Sequence, residues 1–339
     1  MCRKQHKRLL CLCACFMTLI ACSSRLDLAS NAVKFSADSH GAITKTTYGG
    51  YSGDYALINW QDGDVIRIFT PGGGSINSSR QTDGFYYADY SLSDISISDH
   101  ISSGQIAPAG ETPEHGLMWG DQDDPATFYG VYPSTLDVSL SGSSLCAEIT
   151  IPQSQNGTDE ISALPLVAEA TPADYGDEVA LSFLPAFSTF EFTIKSASGE
   201  ITFDSITLST EDDPSNLAYV SGTCLYNLED GSVTYGSPKY RSATVSFSTK
   251  PTATETEETT FSLFTLPVDL SRMTITIQYT KDGFPSEKSL ALNRNNLPID
   301  FEAGKKIRIY GLALPGGISL YMDPLYVIPL DDISHEINY

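Results

Sequence analysis

Seven cysteines and five histidines are the residues of this 339-residue chain best suited to nucleophilic or metal chemistry, so their spacing is the first question. Cys2, Cys11, Cys13 and Cys15 crowd an apolar front segment, Cys22 follows that segment at once, and Cys146 and Cys224 stand far apart in the remainder. There is no Cys-x-x-Cys pair, no His-Glu-x-x-His and no Gly-x-Ser-x-Gly, so the spacings that serve dithiol exchange, zinc hydrolysis and serine acyl transfer are missing. No histidine neighbours Cys146 or Cys224 in sequence, which argues against an activated thiol. His40, His100, His115 and His335 lie scattered in turn-rich stretches and read as solvated loop residues. Carboxylates are abundant, and "GDQDDP" (120–125) and "EDDPSN" (211–216) are the runs most suited to Ca²⁺. Neither has the alternating Asp/Asn spacing, closed by glycine, that wraps one ion, so both read as acidic loops. "TPGGGS" (70–75) lacks the Gly-Lys-Ser/Thr that completes a phosphate-binding loop. These residues specify no catalytic group, metal or cofactor.

The one cysteine with a specific context is Cys22. Arg3, Lys4, Lys7 and Arg8 give the chain a basic start, and the apolar run "LLCLCACFMTLIA" follows, ending in "LIAC" at residues 19–22. That run is shorter than the roughly 20 apolar residues a membrane-spanning helix needs, and its layout is that of a secretory signal. Its ending resembles the bacterial lipobox, in which the cysteine thiol is acylated and the peptide cut just before it. Residues 1–21 are therefore expected to leave, with Cys22 the lipid-bearing first residue of an outer-membrane protein. The whole chain carries 20 basic against 42 acidic residues, a net charge of −22. Loss of the four basic residues of the signal deepens this to −26, the opposite of the clustered Lys and Arg that nucleic acid requires.

The elements that must position any site are strands. "DVIRIFT" (64–70) alternates Val65, Arg67 and Phe69 against Ile66 and Ile68, and "ALSFLPAFSTFEFTIKS" alternates Phe190, Phe192 and Ile194 against Thr189, Glu191 and Thr193. "ITFDSITLST", "ATVSFST", "MTITIQYT" and "KKIRIYGLAL" repeat the pattern, and "QDGD", "LEDGS", "TKDGF" and "LPGG" supply turns between such runs. No window of ten residues shows helical periodicity, so the class is all-β, built from sandwiches. A polar stretch, "TPADYGDE" (171–178), divides the mature chain into an N-terminal domain, 22–178, and a C-terminal domain, 179–315. An extension, 316–339, follows.

Several stretches, in order, resemble the fimbrillin-like lipoproteins of Bacteroidetes, relatives of the major and minor fimbrial pilins. A first strand "NAVKFSA" and "AITKTTY" follow the lipobox. "INWQDGDVIRIFT" (58–70) is similar to a Trp-x-x-Gly-Asp pattern, "MWGDQDDPATFYGVYPS" (118–134) to a Phe-Tyr-x-x-Tyr-Pro strand, and "AEITIPQSQ" (147–155) to an apolar-Pro-x-x-Gln element. "VALSFLPAFSTFEFTI" (179–194) and "FEAGKKIRIYGLAL" (301–314) resemble the opening and late strands of a C-terminal domain. The resemblance implies two tandem transthyretin-like β-sandwiches, no enzymatic activity, and a place in a surface fimbria as structural subunit or tip adhesin. Its partners would be other pilus subunits, alike or different, the outer membrane through the lipid, and a host or bacterial receptor. It also implies an assembly route in which a protease removes the first strand and the next subunit's strand fills the groove. In the best-known pilins that cut follows an arginine beyond the strand; here the nearest equivalent is Lys45, with Lys34 and Arg25 upstream.

The extension "GGISLYMDPLYVIPLDDISHEINY" has apolar residues to bury. Ile318, Leu320 and Met322 share one face of a strand that Pro324 interrupts, and Leu325 and Val327 begin another. They either close the chain's own C-terminal sandwich or act as donor strand for a neighbour. A different class of function, a surface glycan-binding lipoprotein, stays open through "DGFYYADYS" (83–91), where Tyr86 and Tyr87 could stack on sugars.

Overall fold

The computed structural model describes residues 32–39, 48–52, 55–58, 60–72, 76–98, 101–110, 115–120, 124–156, 165–210, 219–266, 272–293, 306–314, 317–319 and 326–328. These are strands and turns, with no α-helix among the described residues. The first strands are β1 (Lys34–Ser39), β2 (Tyr48–Ser52), β3 (Tyr55–Ile58), β4 (Val65–Pro71), β5 (Ile76–Asn77), β6 (Gln81–Thr82) and β7 (Phe85–Ser98). Next come β8 (Ile101–Pro108), β9 (Met118–Trp119), β10 (Ala126–Tyr132), β11 (Val138–Ser141), β12 (Ser144–Ile151), β13 (Ser154–Gln155), β14 (Leu166–Ala173) and β15 (Glu178–Pro185). The second half has β16 (Ser188–Ser196), β17 (Ile201–Thr210), β18 (Ser221–Asn227), β19 (Val233–Tyr240), β20 (Ser242–Ser246), β21 (Thr252–Ala253) and β22 (Thr259–Thr265). It ends with β23 (Arg272–Lys281), β24 (Phe284–Asn293), β25 (Lys306–Leu314), β26 (Gly317–Ser319) and β27 (Tyr326–Ile328).

The N-terminal strands close on themselves. Their sheet runs β4-β10-β14-β15-β1-β8-β7-β6, and β4 also pairs with β7, so seven strands form a ring with β6 outside it. A ring of seven cannot alternate direction all the way round, so one neighbouring pair must run parallel. That pair is β1 with β15, joined from Lys34↔Glu178 to Ser39↔Phe183. Period-two alternation turns one set of side chains inward: Phe35 and Ala37 from β1, Ile66 and Ile68 from β4, Ala88, Tyr90 and Leu92 from β7, and Val179, Leu181 and Phe183 from β15 are all buried. Gly130 keeps the space tight, since a Cβ there would lie 2.6 Å from the Phe183 ring.

The second half is a two-sheet sandwich. One sheet runs β13-β20-β17-β23-β24 with β21 on β17; the other runs β22-β16-β25-β26 with β27 on β25. Phe190, Phe192 and Ile194 of β16, Ile206 and Leu208 of β17, and Ile275 and Ile277 of β23 are buried. The apolar run 179–194 is shared between the halves. β15 pairs with β1 and β14, whereas β16 pairs with β22 and β25. The ladders therefore change partners between β15 and β16, across Ala186 and Phe187, both buried. The polar stretch 171–178 is the end of β14 and the turn into β15, held by a bond from the Asp177 N–H to the Asp174 carbonyl.

The halves are also stitched together. β12 of the first pairs with β18 of the second over six residues, Cys146↔Asn227 to Ile151↔Gly222, inside a four-stranded sheet β11-β12-β18-β19. The dipeptide strand β13 runs beside β20.

Candidate functional site

Two of the stretches singled out in the sequence meet at one corner of the ring. Trp60 is buried edge-on against Tyr132 and Phe183, with centroids 5.3 and 5.4 Å apart. Gly63 takes φ +89°, a conformation that only glycine adopts freely, and lets the chain turn into β4. Asp64 then holds the turn: its carboxylate accepts from the Gln61 N–H at 2.9 Å and from the Tyr132 hydroxyl at 3.0 Å. Burial and the Asp64 charge both raise the Tyr132 phenol's pKa. The Trp-x-x-Gly-Asp and Tyr-Pro stretches are thus a structural joint.

Gln155, last residue of the apolar-Pro-x-x-Gln stretch, has a role that residue types and spacing do not reveal. Its amide docks on the backbone of β22, donating to the Phe264 carbonyl at 2.8 Å and accepting from the Phe264 N–H at 2.8 Å. The side chain does for Phe264 what a neighbouring strand would do. The quoted stretch itself was the available signal.

The feature with functional geometry is β1. It is a wall strand, paired with β15 over its whole length and with β8 from Ser36↔Gln105 to Ser39↔Ser102. Val33, Phe35 and Ala37 are buried, and the Phe35 ring sits edge-on to Tyr90 at 5.1 Å and Phe128 at 5.3 Å. Towards its start β1 leaves β8 and turns to the segment before β10. The Val33 N–H donates to the Leu117 carbonyl at 3.0 Å, and Ala32 bridges Met118. A cleft of about 710 Å³ opens where the two strands part, lined by Lys34, Ser36, Asp94, Gln105 and Glu178 above and Phe35, Tyr90, Ile106 and Leu117 below.

The other expected residues fall as follows. Lys34 is exposed on β1, with its backbone in register with Glu178; Cys22, Arg25 and Lys45 lie outside the described residues. At the other end of the chain, β26 and β27 both pair antiparallel with β25, placing Ile318 opposite Ala313 and Val327 opposite Ile307 within the same chain. Leu320, Met322 and Leu325 lie outside the described residues. Tyr86 and Tyr87 are half-buried neighbours on β7 and so face opposite sides of the sheet. Tyr87 packs on Phe69 at 5.7 Å under the Arg67 guanidinium, which pairs with Asp89. Tyr86 stands beside Gly72.

Cys146 and Cys224 are free and buried. Burial raises the pKa of both thiols, that of Cys224 to about 12. The acidic runs at 121–123 and 211–216 lie outside the described residues. Among those described, no three His, Cys, Asp or Glu residues gather as metal ligands, and no helix is long and apolar enough to cross a membrane.

A family model described as fimbrillin-like matches residues 45–316. No curated protein matches the chain in sequence. Among solved structures, a protein assigned to cell adhesion from Bacteroides uniformis aligns with TM-score 0.52 at 14% identity, covering 87% of this chain and 97% of that one. One with the same assignment from Bacteroides ovatus aligns with TM-score 0.53 at 11% identity, covering 89% and 99%. At these identities the likeness is one of fold.

Proposed function

The chain belongs to the fimbrillin-like family, and from that premise we propose that it is a non-enzymatic subunit or tip adhesin of a surface fimbria, anchored through lipid on Cys22 and joined to other subunits by strand replacement. The observation that carries this reading is the position of β1. The first described strand occupies a middle place in the ring wall, with ladders on both sides. Removing it would leave β15 and β8 with unpaired main-chain groups above a floor that includes Phe128 and Tyr90. Such an edge is a template for another strand.

The same geometry ranks the three basic residues as cutting sites. A cut after Arg25 leaves β1 attached, and a cut after Lys34 falls in a hydrogen-bonded strand and leaves Phe35 and Ala37 in place. Lys45 lies between β1 and β2, so a cut there severs the whole strand from the rest. The expected result is surface protein beginning at Thr46, in ladders that survive detergent and vanish in a Lys45→Ala variant. Ladders built from chains that still begin at Cys22 would overturn the proposal.

A further inference from the structure

We propose that a small cavity on the outer face of the ring, between strands β4 and β7 and the segment 133–138, binds one neutral sugar ring at the end of a glycan. This goes beyond the assembly reading and does not depend on it. β8 stands between β7 and β1 in the ring wall, and no residue of β1 lines the cavity.

Strand register brings the site's residues to one side. Arg67 lies directly opposite Asp89, and Phe69 opposite Tyr87, on the face of β4 that points away from Ile66 and Ile68. The segment after β10 then crosses this face and is anchored at both ends. The Ser134 N–H donates to the Val65 carbonyl at 2.8 Å, and the Asp137 carbonyl accepts from the Glu148 N–H at 2.8 Å. Beneath the segment lies a cavity of about 140 Å³, the scale of a single sugar ring. Arg67, Thr82, Thr135 and Asp137 line it as polar residues, and Tyr87 and Leu136 give it an apolar side.

The polar groups have bonding capacity to spare. Arg67 is fixed in place: its Nε and Nη2 bond the Asp89 carboxylate at 2.6 and 3.2 Å, and its guanidinium lies 4.9 Å from the Tyr87 ring centroid. Its Nη1 has no partner among the described residues, and neither have the Thr82 and Thr135 hydroxyls or the Asp137 carboxylate. A fixed donor, a carboxylate acceptor and two hydroxyls beside an apolar side match the adjacent hydroxyls and C–H face of a sugar. Because Arg67 is held before anything binds, little freedom is lost on binding. Charge selects a neutral ring. Arg67 and Arg80, which also bonds Asp89 at 2.9 Å, are balanced by Asp89 and Asp137. The chain as a whole carries −22, so an acidic sugar gains no attraction here.

The test is binding of the purified, uncut chain to polymers displaying glucose, galactose, mannose, fucose, N-acetylglucosamine or N-acetylgalactosamine, with a sialic acid polymer alongside. Multivalent display strengthens a weak single-ring site. At least one neutral polymer should bind. Thr135→Trp fills the cavity from its exposed rim and should abolish that binding. Asp137→Ala, and Arg67→Lys, which keeps the charge but loses the planar fork, should each weaken it about tenfold, the effect of one hydrogen bond to a charged group. Lys239→Ala, at a separate cation–aromatic contact with Tyr219, should leave it unchanged. Circular dichroism and melting verify that each variant folds; if Arg67→Lys does not, Thr135→Trp and Asp137→Ala decide. No neutral polymer bound, binding kept by Thr135→Trp or lost in Lys239→Ala, or binding of the sialic acid polymer alone overturns the proposal. Cleavage and polymer formation play no part in this measurement, so its failure leaves strand replacement standing.

Discussion

At the scale of single residues, the chain uses side chains where backbone pairing ends. Gln155 belongs to a two-residue strand too short to anchor itself, and its amide supplies a donor and an acceptor to Phe264 across 109 positions of sequence. Gln155→Ala would leave the part-buried Phe264 N–H and carbonyl without those partners, at a cost of about 2–4 kcal/mol. Urea unfolding should show the loss as a lower midpoint at unchanged slope; a midpoint within error of the parent would mean that water replaces the amide. Asp64 works in the same way for Gln61 and Tyr132. Both residues were visible in the sequence as parts of quoted stretches, but a stretch does not reveal which distant backbone its polar group will meet. The chemistry of the cysteines was easier to read. With no partner of zinc or nucleophile spacing, Cys146 and Cys224 read as inert, and burial of both thiols in adjacent strands raises their pKa.

At the scale of elements, strand identity was written locally and strand partnership was not. The alternation in "DVIRIFT" separates Ile66 and Ile68 from Val65, Arg67 and Phe69, and the structure turns the two isoleucines into the ring. Phe69, on the other face, is buried as well, because Tyr87 packs on it and Leu136 and Val138 line the same small cavity. "VALSFLPAFSTFEFTI" reads as one opening strand, but Pro185 ends β15 in the ring and Ser188 starts β16 in the sandwich. Packing inside the ring is close at the β10–β15 contact. Gly130→Ala would put a methyl 2.6 Å from the Phe183 ring and 3.1 Å from the Ala168 methyl, so strand β10 must shift. The expected penalty is about 1–3 kcal/mol, seen as a lower melting temperature with the β-sheet spectrum retained.

At the scale of the whole molecule, the two halves are joined through β12, β18 and the contacts around them. The Tyr226 hydroxyl on β18 donates to Glu169 on β14 at 2.7 Å, and the Ala170 N–H donates to the Leu228 carbonyl at 3.0 Å. Burial is the main cause of raised pKa values for the Tyr90, Tyr132 and Tyr226 phenols, and neighbouring Asp64 and Glu169 add to it for the latter two. Each of these groups binds its proton more tightly folded than unfolded. Their contribution is complete below the ordinary phenol value of 10.0 and is lost as pH rises from there through the higher folded values. Urea midpoints should therefore hold level up to that pH and fall above it, and the fall should be shallower in Tyr226→Phe. A Tyr226→Phe profile as steep as the parent's would remove that contact from the account.

The sequence by itself determined the all-β class, the absence of recognisable catalytic spacing, and the stretches that mark the fimbrillin-like family. All of these are carried by residue types a few positions apart: period-two alternation, turn residues, and short patterns. Tertiary structure alone decided that seven strands close into a ring, that its one parallel junction falls at β1, and that β1 parts from β8 to leave a cleft. It also decided that Tyr86 and Tyr87 serve opposite faces and that β26 and β27 pair with β25. Backbone hydrogen-bonding groups are the same at every residue, so which strand pairs with which is set by how all the apolar faces can be buried at once, and no local stretch of residues carries that information.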